Sequence, residues 1–237
     1  KGNRDGIPAK LKMLLLLVVS FTALLVYSNL NKNFHQNFCE LYIPFVKDAV
    51  WTMPYLIALL FGVIVLVAAA NSVNLTDGKD GLAVGCSIWC PLSYGTFAYV
   101  SSHAIFAEHL NLHFIPQGGE IVVFAGAIGG ACVGFLWHNC HPASMFMGDT
   151  GSLALGGIMG FISVLVNQEF LLIIVGGVFV MESTIFNKSL TEDSISLQFS
   201  VIILSLLLFI IFLLSTSFLF FPAGVKSDLI NALSSSM

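Results

Sequence analysis

From Pro54 to Ala70 no side chain carries a charge or an amide. A run of this kind leaves the backbone little choice. In hydrocarbon every N–H and C=O must find a partner within the protein, and a single segment achieves that only as a helix. Comparable runs recur at Leu11–Tyr27, Leu82–Phe106, Ile121–Trp137, Ser152–Val166, Phe170–Phe186 and Val201–Phe221. A helix needs about 20 apolar residues to cross the hydrocarbon, so Pro54–Ala70 is expected to end within the headgroup zone. Only 9% of the 237 residues are charged and 57% are hydrophobic, against about 25% charged in soluble domains. The expectation is an all-α, polytopic membrane helix bundle of about seven spans, forming a single integral membrane domain over residues 1–237. The net charge of −4 says little about a surface field when the charges sit in loops, and no nucleic-acid partner is expected.

The connections carry the remaining detail. Lys1, Arg4 and Lys10 precede the first run and Lys12 stands at its start, and the positive-inside bias makes that end cytoplasmic. Asn29–Lys47 reads as an outer loop with a short extended piece at Leu41–Phe45. Pro91 and Gly95 are expected to interrupt the third span. The Gly- and Ala-rich fourth span is expected inside the bundle, because small residues permit close helix approach. Asn167–Glu169 reads as a tight outer turn. The five cysteines lie mostly in apolar runs; Cys86 and Cys90 can share a helix face, and small buried hydrophobes are the simplest reading. The chain begins at Lys1 without Met or a signal peptide, and an upstream part is expected.

Two polar stretches interrupt the apolar pattern on the same side. The first is Asn71-Ser72-Val73-Asn74-Leu75-Thr76-Asp77-Gly78-Lys79-Asp80-Gly81. Charge at a membrane helix end is costly unless it serves a purpose. Gly78 and Gly81 each follow an Asp, and such pairs permit the left-handed backbone that turns a chain sharply and aims amides at an anion. One helical turn would put Asp77 and Asp80 on one side. The second stretch, His138–Ser152, places Asp149 between two glycines at a helix start. There a carboxylate is equally a helix cap and a metal ligand. Asp77, Asp80 and Asp149 together would suit Mg²⁺, which takes one or two carboxylates beside water and phosphate oxygens. His138, Cys140 and His141 could suggest a soft-metal site or interfacial polar packing. Lys79 could hold a phosphate or snorkel to the headgroups. Glu182 is either a packing hydrogen bonder or a site carboxylate.

Asn71–Ala83 (NSVNLTDGKDGLA) and Phe146–Gly157 (FMGDTGSLALGG) resemble the two signature segments of the phospho-N-acetylmuramoyl-pentapeptide-transferase family, within the polyprenyl-phosphate N-acetylhexosamine-1-phosphate transferases. Less specifically, the resemblance extends from about Gly6 to Glu182, including Tyr42–Asp48, Ile115–Glu120 and Phe135–Asn139. It implies a helical bundle of ten spans, of which this chain would hold a partial transferase domain, about 6–186, followed by a divergent span and tail, 187–237. It implies Mg²⁺-dependent transfer of phospho-MurNAc-pentapeptide from UDP to undecaprenyl phosphate, with release of UMP. The site would lie on the cytoplasmic face of the bacterial inner membrane, in a possible homodimer. Carried over by position, Asp149 is the metal-binding carboxylate, and Asp77 and Asp80 line the site, Asp80 near the uracil. Asn71, Asn74, Asn139 and Gly78 are substrate-binding positions, Phe146 stacks on the uracil, and Lys12 is the basic residue at the start of the first span.

An adjacent Asp pair upstream of Lys1 and a run of three His near Phe186–Gln198 belong to the family pattern and have no counterpart in the sequence. Position 79, usually apolar in the family, is Lys. The chain alone is therefore expected to be inactive or nearly so. The alternatives are a related transferase for another UDP-HexNAc, or a non-catalytic membrane scaffold or transporter. A transporter requires a polar path across the bilayer, and the spans carry almost no midplane charge.

Overall fold

A computed structural model describes residues 8–30, 38–43, 49–110, 112–116, 118–177 and 179. Helix α1 spans Ala9–Leu30, α2 Tyr55–Thr76, α3 Leu82–Ser102, α4 Ala104–His109, α5 Gly118–Asn139, α6 Gly148–Leu165 and α7 Glu169–Val175. A two-stranded antiparallel ribbon, β1 (Glu40–Leu41) and β2 (Trp51–Thr52), pairs Glu40 with Thr52 and Leu41 with Trp51. Among the described residues α1, α2, α5 and α6 are long and apolar enough to cross a membrane. The molecule is a polytopic helical membrane protein. The seventh expected span lies outside the described residues, as do residues 178 and 180–186 of the sixth, Glu182 among them, and the tail.

Helices α2 and α6 form the tightest pair. A Cβ added at Gly156 would stand 2.5 Å from the Ala69 carbonyl oxygen and 2.7 Å from Ala70 Cα. One at Gly160 would stand 3.0 Å from Leu66 Cα. Backbone meets backbone here because small residues four apart face Ala69 and Ala70. In lipid such close packing replaces the hydrophobic effect as the source of helix association. Nearer the start of α2, Gly62 admits Leu24 of α1, whose Cδ1 would lie 2.9 Å from an added Cβ. Ser28 of α1 and Tyr55 of α2 share a hydrogen bond of 2.7 Å.

Helix α3 is the most enclosed. Leu82, Cys86, Cys90, Tyr94, Phe97 and Ala98 sit in one apolar cluster with Met159 and Ile162 of α6. Cys86 and Cys90 are buried, as small hydrophobes. The interruption expected at Pro91 and Gly95 does not occur: α3 runs continuously through both. A buried proline is tolerated in such a helix because neighbouring helices surround the backbone groups it releases. The actual break falls at His103, extended at φ −103°, ψ 113°, which splits the expected third span into α3 and α4.

The fourth span is also unlike its expectation. Helix α5 packs one face on α3 through Gly95–Ala125 and Leu92–Gly129, while Val123, Phe124, Val133 and Trp137 are exposed. Gly126, Gly130 and Gly134 face open space. Its small residues supply one contact line, and composition does not reveal how many sides a helix has covered. The tight turn expected at Asn167–Glu169 appears, with Asn167 at φ 52°, a left-handed value that asparagine tolerates. Near it, Tyr94 donates to the Gln168 carbonyl at 3.0 Å.

Candidate functional site

Three helix ends meet on one face: the start of α1, the end of α2 and the start of α6. Asn74, in the last turn of α2, is their common partner. Its Oδ1 accepts from Lys12 Nζ at 2.8 Å, and its Nδ2 donates to Asp149 Oδ1 at 2.8 Å and to Ser152 Oγ at 2.8 Å. Lys12 Nζ closes the ring with Asp149 Oδ2 at 3.0 Å. The Asp149 side chain is 72% exposed, so the ion pair itself is screened and worth little. The arrangement matters for another reason: it holds an ionised carboxylate open to solvent with both oxygens oriented. Asp149 lies in the first turn of α6 and makes no capping hydrogen bond there.

Asp77 follows Asn74 by one turn and is the C-cap of α2. Burial, and then the negative charge of Asp149, hold its carboxyl above the usual range. The two carboxylates thus share one electrostatic environment.

Asp80 does not join them. Its Oδ2 accepts the Ala143 N–H at 3.1 Å and lies 3.2 Å from His141 Nδ1. The expectation of a converging triad is corrected: no group of three or more His, Cys, Asp or Glu is gathered for a metal among the described residues. The same holds for His138, Cys140 and His141, all exposed. The physical cause is the turn. Helix α2 ends at Thr76, so Asp77 and Asp80 do not share a helical face. Gly81 then adopts φ 74°, while Gly78 has no positive φ. Gly81 donates its N–H to Asn139 Oδ1 at 3.0 Å, and Asn139 Nδ2 donates to the Met145 carbonyl at 2.8 Å. Asn139 is 3% exposed; it is a clamp between the two polar stretches, not an open pocket wall. That clamp swings Asp80 toward the second stretch.

The other sequence candidates separate clearly. Asn71 turns back to the Val67 carbonyl at 2.8 Å and lies apart from the cluster. Gly78 is exposed and Lys79 half-buried. Phe146 is 75% exposed on the second stretch. Sequence reasoning missed Ser152, although it follows Asp149 by three residues and therefore shares its helix face. It also missed His141 as a partner for Asp80.

Two apolar grooves reach this end of the bundle. One, of about 470 Å³, has Lys12 at its mouth and runs between α1 and α6 past Leu15, Val19, Leu153 and Phe161. The other, of about 450 Å³, extends from Ser72 of α2 to Glu169 at the outer turn.

The sequence compares closely with known proteins. It is 42% identical over 192 residues to the phospho-N-acetylmuramoyl-pentapeptide-transferase of Koribacter versatilis, covering 75% of this chain and 50% of that protein. Identity to the same-named enzyme of Desulfotalea psychrophila is 45% over 188 residues, 77% of this chain and 50% of that one. For Maridesulfovibrio salexigens it is 47% over 185 residues, 77% and 49%. The chain spans about half the length of these relatives. The model of glycosyl transferase family 4 matches residues 4–167. That stretch holds Lys12, Asn74, Asp77, Asp149 and Ser152 together, and the chain belongs to glycosyl transferase family 4.

Proposed function

We propose that this chain carries the reaction-centre half of a glycosyl-1-phosphate transferase that moves phospho-MurNAc-pentapeptide from its UDP donor to undecaprenyl phosphate, releasing UMP. The single observation carrying the reading is the Lys12–Asn74–Asp149 ring, drawn from three helices to one membrane face. A lipid acceptor and a water-soluble donor can meet only at such a boundary. The names of the relatives supply the donor and the product class. The same reading places the protein in the bacterial inner membrane, with this face cytoplasmic and two copies associating.

Phosphoryl transfer asks a protein mainly for positioning and neutralisation of charge. Lys12 supplies a cation at the mouth of an apolar groove, which suits a phosphate on a hydrocarbon chain. Asn74 keeps Asp149 ionised and oriented by donating to it. Phe146 offers a free aromatic face for a nucleobase. Asp149, with Asp77 beside it, fits Mg²⁺, which brings most of its own ligands as water and phosphate oxygens. When bound there, that ion would neutralise diphosphate charge.

The test places residues 4–167 of this chain in a full-length relative and follows UMP release with UDP-MurNAc-pentapeptide, undecaprenyl phosphate and Mg²⁺. Turnover that Asp149→Asn abolishes supports the proposal. Turnover with a different UDP-HexNAc only, or full activity in Asp149→Asn, rejects it. The chain alone is expected to show little or no turnover.

A further inference from the structure

We infer that Ser152 is a positioning residue of this centre: its hydroxyl fixes which way round the Asn74 amide sits. The inference rests on the reading of Asp149 as the reaction carboxylate.

Ser152 is 0% exposed. Its Oγ donates to the Gly148 carbonyl, four residues back, at 3.0 Å. A hydroxyl has one proton. With that proton committed, Oγ presents only lone pairs to Asn74, and the group facing it must be a donor. Asn74 Nδ2 fills that place at 2.8 Å. The second proton of the same NH₂ goes to Asp149 Oδ1, and the carbonyl end is left for the Lys12 ammonium. Turning the amide over would set its carbonyl oxygen against two oxygens and its NH₂ against a cation.

Asp149 also selects this orientation, but less dependably. It is exposed and must exchange partners when an ion or a phosphate arrives. Ser152 is buried and has no competing solvent. It therefore keeps Asn74 correctly poised while Asp149 changes ligands. Gly148, left-handed at φ 64°, begins the turn whose carbonyl occupies the Ser152 proton.

The experiment uses the full chain in lipid nanodiscs with ¹⁵N-labelled asparagine, the Asn74 side-chain signals being assigned by their loss in Asn74→Ala. In Ser152→Ala, proton exchange of the Asn74 amide is expected to rise about fivefold, the equivalent of one neutral hydrogen bond. Ser152→Cys keeps the volume, offers only a weak acceptor, and is expected to behave alike; it decides the matter where the alanine variant does not fold. Ser163→Ala, a buried serine of the same helix bonded to Gly160, is the control and leaves the Asn74 signals unchanged. Unchanged Asn74 exchange in a folded Ser152 variant overturns the inference. Mn²⁺ affinity, read by electron paramagnetic resonance, is measured in parallel and should weaken about fivefold in Ser152→Ala. A wild-type chain that binds no Mn²⁺ counts against the metal reading of the proposed function, while the Asn74 exchange still decides the role of Ser152.

Discussion

Gly156→Ala changes no polar atom, yet it should disconnect the site. The added Cβ would begin 2.5 Å from the Ala69 carbonyl oxygen, and ordinary contact starts at 3.4 Å. Neither side can yield locally, because the obstacle is backbone on both helices. Helices α2 and α6 must therefore part by about 0.9 Å. Asn74 lies one turn beyond Ala70 on α2, and Asp149 two turns before Gly156 on α6. A separation of that size stretches the Asn74–Asp149 bond from 2.8 Å to about 3.7 Å, outside hydrogen-bonding range. Overpacking of this kind costs about 1–3 kcal/mol. The assay is thermal unfolding in nanodiscs beside the Asn74 amide exchange described above. Gly157→Ala is the matched control, since nothing lies within 4 Å of its added Cβ. A Gly156→Ala protein with wild-type melting and wild-type Asn74 exchange would refute the claim that this contact sets the site geometry.

Other substitutions probe the remaining parts. Phe146→Ala should leave stability within about 0.5 kcal/mol, because the ring is exposed, while uridine-nucleotide affinity in the chimeric transferase falls at least about fivefold; equal affinity removes the ring from the site. Gly81→Ala should destabilise by about 1–2 kcal/mol, since φ is 74°, and should loosen the Asp80–His141 pairing, read from the His141 ring signals. In the loop between α4 and α5, burial holds His113 below the usual histidine value, against a smaller opposing effect of Glu40. Its ring stacks on Tyr42 at 4.3 Å between centroids. The folded state prefers the neutral ring, so its contribution is complete above pH ~6.5 and declines as pH falls from there through the depressed value. Protection factors of the β1–β2 ribbon, taken relative to the intrinsic exchange rate at each pH, should fall from pH 7.5 to pH 5, and His113→Phe should abolish that dependence.

The two polar stretches were legible because polarity stands out against lipid-soluble surroundings. Lys12, Asn74 and Asp149 came with the resemblance, and the geometry brings all three together. Asp80 stands apart from Asp77 and Asp149 for a tertiary reason: beside it, Gly81 donates to Asn139, fifty-eight residues away. Local spacing cannot contain that partner. The inward placement expected for α5 failed for a related reason, since glycine content reports that a helix can be approached and not from which side. Pro91 shows the same limit, as α3 continues through it among enclosing neighbours whatever its local propensity.

The ammonium of Lys12 ties the first turn of α1 to Asn74 and Asp149, so α1 cannot slide along the membrane normal at that end. From Lys12 to Leu30 it rises about 27 Å, close to a typical hydrocarbon thickness of about 30 Å. In a thinner bilayer the mismatch must be absorbed by swinging the far end of the helix, with Lys12 as the pivot. Lipid chain length thereby becomes a mechanical input to the carboxylate that Lys12 holds.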